Sequence, residues 1–181
     1  MLWTLKRLLS MKNKIIEQIP TGCEQSIFIL SKEQKMHCFQ GNSLYKTYSV
    51  STAKNGLGEQ SGSECTPRGW HRIYNIIGLE SRANAVFIGR KWTGEYYSDE
   101  LAAQYPERDW ILTRILQLDG LEPGFNQGGD VDSLKRYIYI HGTPDSTRLG
   151  EPGSHGCVRM ANLDIIELAA WVNTDTLVRV I

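Results

Sequence analysis

The chain has 181 residues, 41% of them hydrophobic, and sets 20 Lys and Arg against 20 Asp and Glu. That length suits one domain with its own core and is short for two. The charge balance excludes an overall field that would draw in nucleic acid or an anionic membrane.

The first residues carry Leu2, Trp3, Leu5, Leu8 and Leu9, but Lys6 and Arg7 interrupt them, and Lys12 and Lys14 come next. A secretory signal has an unbroken apolar stretch of roughly 7–15 residues and a small-residue cleavage site. A membrane span takes about 20 apolar residues. Neither pattern is found, so residues 1–25 read as an N-terminal extension, Met11 as an alternative start, and no integral membrane segment is expected. The expected compartment is the cytoplasm, with the periplasm as the alternative. Cys23, Cys38 and Cys65, left over beside Cys157, read as packing thiols, which suits a reducing compartment.

Short β-like runs dominate the chain beyond residue 25. Ser26 to Leu30 is an apolar strand, and Met36 to Gln40 pairs with it across the polar Ser31-Lys32-Glu33 turn. Leu44 to Ser51 alternates, less cleanly. Ile73 to Ile77 and Ala85 to Ile88 are β-branched or aromatic and end in glycines. Trp110 to Leu118 fits a strand better than a helix, and Tyr137 to His141 is the clearest strand. Glycine-rich connectors cover Lys54 to Gly69 and Gly120 to Gly129; the second, being long, is a candidate border of a cleft. One helix is predicted, with Asn162 as its cap and Asp164 in its first turn. Ile165, Ile166, Leu168, Ala169 and Val172 form its apolar stripe. Thr174-Asp175 ends it, and Thr176 to Ile181 returns as a terminal strand. The expected class is mainly β, with one or two helices packed on the sheet.

The chemistry-bearing residues lie late. His141-Gly142-Thr143 ends the clearest strand, and Ser154-His155-Gly156-Cys157-Val158-Arg159-Met160 comes after it. A cysteine becomes a good nucleophile as the thiolate, and a free thiol has a pKa of about 8.5. A histidine within hydrogen-bond reach supplies the missing activation. Strand alternation puts Tyr137, Tyr139 and His141 on one face and Ile138 and Ile140 on the other. The isoleucines suit a core, which turns the tyrosines and the histidine toward a cleft. Gly156 permits a sharp turn and close approach before Cys157, and amides around it would converge on an oxyanion. Arg159, beside Cys157, is a candidate fork for a substrate carboxylate. Arg114, Arg136 and Trp92 are further candidates. A zinc set would need Cys157, His141 and His155 with His71 or Cys65, but His-x-Cys lacks the paired spacings of such sites. No metal or cofactor is expected.

This His141…Ser154-His155-Gly156-Cys157-Val158-Arg159 pattern resembles the signature of the L,D-transpeptidase catalytic domain, the YkuD-like family. Thr66-Pro67-Arg68-Gly69-Trp70-His71 is similar to the family's Thr-Pro-x-Gly-x-aromatic segment, with His71 where an aromatic is usual. The resemblance covers residues 26–181, taken as one catalytic domain, and implies a β-sandwich or partly closed barrel. It implies that Cys157 attacks a peptide carbonyl and forms a thioester. His141 would act as base and then acid, with its ring oriented by the Gly142 carbonyl. Ser154, His155 and Gly156 would shape the oxyanion and donor pocket, and Arg159 and Tyr139 would contact substrate. The implied substrate is a peptidoglycan stem tetrapeptide, cut between the L-centre of its third residue (meso-diaminopimelate or L-Lys) and D-Ala. With no export signal read, the expected outcome is hydrolysis of a soluble muropeptide, an L,D-carboxypeptidase role in wall recycling. The alternative is 3-3 crosslinking of stems outside the cytoplasmic membrane. Carbapenems would be expected to acylate Cys157.

Overall fold

The computed structural model describes residues 13–181; the apolar run at Met1–Leu9 and Met11 lie outside the described residues. Ten strands, β1 (Gln25–Leu30), β2 (Lys35–Gln40), β3 (Ser43–Ser49), β4 (Gly69–Ile77), β5 (Ala85–Ile88), β6 (Lys91–Tyr96), β7 (Ile111–Gly120), β8 (Tyr139–Gly142), β9 (Val158–Met160) and β10 (Leu177–Val180), form one mixed sheet. Helices α1 (Asp99–Gln104) and α2 (Asn162–Trp171) accompany it, and among the described residues 13–16 are also helical and Gly129–Val131 forms a 3-10 turn.

The sheet runs β3-β2-β1-β10-β4-β7-β5-β6, with β8 branching off β7 and β9 off β8. Only β1–β10 and β8–β9 are parallel. Strand β7 makes the branch. Ile115 to Gly120 pairs with β4, Ile111 and Leu112 pair with β5, and β8 pairs with β7 past a register shift between Leu112 and Ile115. Past β3 the chain continues irregularly, yet Ser51 bridges Arg159 and Ala53 bridges Ser154. The sheet therefore curls until the continuation of β3 meets β9. These isolated bridges stand where a full ladder would close a barrel, leaving it partly closed.

Inside the curl lie Ile27, Ile29, Met36, Ile73, Leu116, Leu118, Ile138, Ile140, Val158 and Met160, with Ile165, Leu168 and Ala169 of α2 packed against them. Full burial of each such aliphatic chain contributes about 1.5–3 kcal/mol. On the outer face of β1 and β2, Ile15 packs with Phe28, Leu30 and Phe39, so part of the N-terminal extension covers the sheet.

Every predicted strand forms, but β6, α1 and β9 were not anticipated. Helix α1 is short, and its cap is Ser98, whose hydroxyl accepts from the Leu101 amide at 3.2 Å. The expectation for Asn162 is corrected. Ala161 occupies the cap position and Asn162 is the first helical residue. Its amide is committed inward: Nδ2 donates to Asn84 Oδ1 (2.8 Å) and to the Thr143 carbonyl (2.9 Å), and Oδ1 accepts from Thr113 Oγ1. An Asn buried this deep is used for tertiary hydrogen bonds, since each of its polar atoms must be satisfied.

Candidate active site

Strand β8 places His141. Ile140 joins the core while Tyr139 and His141 face the other way, as the alternation predicts. The imidazole is fully buried. Nδ1 lies 2.7 Å from the Gly142 carbonyl. A carbonyl only accepts, so Nδ1 carries the proton and Nε2 holds the lone pair. Nε2 is buried and has no hydrogen-bond partner among the described residues. Burial holds the imidazole below its usual pKa; the Gly142 bond and the Asp109 carboxylate oppose this, and Arg159 adds to it. The ring is therefore neutral at neutral pH. Gly142 itself admits no side chain: a Cβ there would stand 2.6 Å from Asn162 Oδ1 and 2.7 Å from the Leu112 carbonyl oxygen.

Cys157 immediately precedes β9. The parallel register pairs Ile140 with Val158 and His141 with Arg159, so Cys157 enters beside the start of β8. Gly156 makes that entry possible. Its φ is +131°, and a Cβ would lie 3.2 Å from Ile138 Cδ1 and 3.4 Å from the Cys65 carbonyl. The half-buried thiol packs against the Phe87, Ile115 and Tyr139 cluster. Sγ donates to the Tyr137 carbonyl at 3.5 Å. Burial pushes the thiol up to about 12, with the Tyr139 amide favouring the anion and the Asp109 charge disfavouring it. The resting pair is thus a neutral thiol and a neutral imidazole. They are carried by neighbouring strands, and the sulfur's hydrogen bond goes to Tyr137.

The loop before Cys157 is held by its neighbours. Thr66 Oγ1 donates to the Gly156 carbonyl and accepts from the Ala53 amide, both at 2.9 Å. Ser154 is buried; its amide donates to the Thr52 carbonyl at 3.0 Å, and its hydroxyl donates to the Cys157 carbonyl. The Gly156 amide donates to that same hydroxyl at 3.2 Å. The Gly156 amide is thus occupied by Ser154 Oγ and is not among the amides around it expected to converge on an oxyanion, and Ser154 and Gly156 build the loop.

His155 is mostly exposed, with Nδ1 3.6 Å from Asp109 Oδ2. Asp109 Oδ1 accepts from Arg159 Nη2 at 2.7 Å, and Arg159 Nη1 donates to the Gly153 carbonyl at 2.9 Å. The Arg159 guanidinium, expected to await a carboxylate, already holds one from its own chain. Asp109 was not singled out from the sequence. It lies 50 positions from Arg159 and in no motif, so no local signal marks it.

Tyr139 is buried in the cluster beside the sulfur. Arg136 donates to the carbonyls of Glu59 (2.6 Å) and Cys65 (2.7 Å) and so ties down the loop that flanks Gly156. Arg114 is buried on the carbonyls of Ser81 and Thr113. Trp92 is about half exposed on β6. His71 is fully buried, bonded to Ser133 Oγ at 3.0 Å and to the Gly69 carbonyl at 3.1 Å, and burial drives it down to about 4. It has no exposed surface with which to join a cleft. The Gly120–Gly129 connector, expected as a cleft border, packs onto the start of β4. Asn126 Nδ2 donates to the carbonyls of Arg68 and Trp70, and Gly120 leaves no room for a Cβ against the Asn126 carbonyl.

Residues 24–180 match the family model described as YkuD, L,D-transpeptidase catalytic domain. The YkuD protein of Bacillus licheniformis is 41% identical over 104 residues, 53% of this chain and 63% of that protein. The Bacillus subtilis YkuD protein is 44% identical over 46 residues, 25% of this chain and 28% of that protein. The matched segments thus span less than two thirds of either relative. L,D-transpeptidase 3 from Mycobacterium tuberculosis, solved in complex with a faropenem-derived adduct, superposes with a TM-score of 0.53 at 13% identity. That match covers 87% of this chain and 60% of the solved one, and it shows the shared fold.

Proposed function

We propose, because this chain belongs to the YkuD family of L,D-transpeptidase catalytic domains, that it cleaves peptidoglycan stem tetrapeptides through a thioester on Cys157. One observation carries the reading. His141 has a buried Nε2 with no partner among the described residues, its tautomer set by Gly142, on the strand beside the one that Cys157 enters. A buried lone pair left without a donor is costly unless a donor arrives in use.

In the resting pair no charge is separated. When donor peptide fills the site, Sγ leaves the Tyr137 carbonyl and turns to Nε2. The proton passes from sulfur to Nε2 as sulfur attacks the carbonyl of the third stem residue. The resulting oxyanion collapses, the C–N bond breaks, and Nε2–H returns its proton to the departing D-Ala amine. The thioester remains on Cys157. The Gly142 carbonyl stabilises the transient imidazolium, as a carboxylate does in other triads. Water or an amine from a second stem then takes the acyl group, with Nε2 again accepting the proton.

Hydrolysis, giving a tripeptide and free D-Ala from a soluble muropeptide, is the first reading. Transfer to an amine, forming a 3-3 crosslink, is the second, favoured by the family's name. Incubation with a disaccharide-tetrapeptide separates them by product mass: loss of one D-Ala marks hydrolysis, and a doubled stem marks transfer. A folded protein that yields neither product and takes no acyl mass on Cys157 overturns both. A penem or carbapenem is expected to leave a Cys157 adduct by the same attack.

A further inference from the structure

The donor stem is anionic, and the guanidinium nearest the nucleophile in sequence is occupied by Asp109. Arg136 and Arg114 are bonded to backbone carbonyls. One further arginine lies at this end of the sheet. Arg90 is half-buried at the turn joining β5 to β6, its guanidinium 4.9 Å from the centroid of the Tyr137 ring. Tyr137 is the residue whose carbonyl touches Cys157 Sγ. Arg90, by its charge and a side-chain hydrogen bond, favours the ionised form of the buried Tyr139 phenol, and Cys157 disfavours it. Among the described residues Arg90 forms no ion pair.

The backbone adds a second observation. Ile88 pairs with Lys91, so Gly89 and Arg90 are the two central residues of a tight hairpin. Their φ values are +53° and +67°. Such a turn favours Gly or Asn at both positions, and an arginine there is strained. Tyr137 beneath it is also left-handed, at φ +57°. Strain of this kind gathers at binding and active sites, where the surrounding structure must hold it. The two strained residues are in contact with each other, and one of them touches the sulfur, so a guanidinium with no ion-pair partner among the described residues stands over the residue that Cys157 touches.

We propose that Arg90 recognises a carboxylate of the acyl-donor peptide, one flanking the scissile bond, while Tyr137 holds the guanidinium from below. The assignment rests on the acyl-transfer reading for the identity of the peptide. Arg159 is then internal scaffold, and the carboxylate fork expected of it belongs to the hairpin turn. The guanidinium loses little by waiting, since the Tyr137 face and the Tyr139 hydroxyl engage it without neutralising its charge.

The test separates recognition from turnover. Two probes are used: L-Ala-γ-D-Glu-meso-diaminopimelate-D-Ala, and the same peptide with the two carboxylates that flank the scissile bond, on the diaminopimelate side chain and on D-Ala, amidated. Binding is measured by calorimetry on Cys157→Ala, and on the double variants that add Arg90→Gly or Arg90→Lys. Glycine suits the turn, so the fold is retained, and a melting curve checks it. The free acid is expected to bind Cys157→Ala at least about tenfold tighter than the amide, the scale of one charge-assisted hydrogen bond. Arg90→Gly is expected to abolish that difference and Arg90→Lys to retain part of it. Equal binding of both probes to Cys157→Ala, no binding of either, or a difference that survives Arg90→Gly overturns the proposal. Release of D-Ala by the wild-type chain is read separately, and it alone decides the acyl-transfer reading.

Discussion

Arg159 stands opposite His141 in the parallel β8–β9 register, and its guanidinium is held by Asp109 at 2.7 Å. The strand that carries His141 and the strand that Cys157 enters are thereby locked side by side, with an ion pair of the protein's own at their edge. The Arg159 side chain is only 14% exposed and that of Asp109 44%. The pair is partly shielded, so removing one partner leaves the other charge partly buried and unpaired.

Cys157→Ala should remove turnover and acyl-adduct formation while leaving the melting temperature nearly unchanged, because the thiol makes one long hydrogen bond. His141→Ala should lower kcat/KM by at least about a hundredfold, the usual scale of a general base. With the imidazole held below its usual value, the wild-type acid limb should lie below pH 6.5. A pH–rate profile with its acid limb at or above 6.5 would contradict this.

Gly142→Ala should destabilise the protein by about 1–3 kcal/mol, the usual cost of forcing a methyl into a packed site, since the new Cβ meets Asn162 and a backbone oxygen. It should also lower kcat, because the carbonyl that orients His141 shifts with it. Urea unfolding gives the first number and steady-state assay the second. Unchanged values in both would remove Gly142 from the site.

Thr66→Val keeps the shape and deletes the hydroxyl that joins Ala53 to Gly156. Leaving that buried donor and acceptor unpaired should cost about 1–3 kcal/mol. The loop before Cys157 should loosen, seen as faster hydrogen exchange in residues 154–157. Protection equal to that of the wild type would show that Thr66 does not hold the loop.

Asp109→Asn removes a negative charge that disfavours the Cys157 thiolate. Alkylation of Cys157 should accelerate at fixed pH, while stability falls by about 1–2 kcal/mol as Arg159 loses its partner. Slower or unchanged labelling would contradict the sign.

His71 links stability to pH. Its folded pKa, about 4, lies below the 6.5 of the unfolded chain, so between those values the unfolded state binds the extra proton. Stability is fully present above pH 6.5 and declines as pH falls toward 4, by on the order of 3 kcal/mol for this group. His141 acts in the same direction. His71→Gln should flatten the decline in melting temperature across that window; an unaltered slope would exclude His71 as its source.

Much of the fold was legible because alternation and glycine placement are local. Residues 138–141 sorted correctly into isoleucines facing the core and Tyr139 and His141 facing away, since period two belongs to any strand; Tyr137, expected on the same face, lies before β8 in a left-handed turn. Strand β9 was missed because three residues leave no readable period, and β6 because its side chains are mostly exposed. Asn162 was misread for a related reason. Asn before an apolar run is a cap by composition, and only burial against Thr113, Asn84 and Thr143 redirects its amide.

By itself the sequence determined the family and the mainly β class, and it singled out His141 and Cys157 as the proposed pair, because these rest on residue types at fixed spacing. Tertiary structure decided which charges remain free. It closed Arg159 on Asp109, buried His71, occupied the Gly156 amide with Ser154, and left Arg90 open at a strained turn. A side chain's availability depends on partners distant along the chain. Hydrogen-bond and ion-pair energies fall off within a few ångströms, and spacing along the chain does not measure those distances.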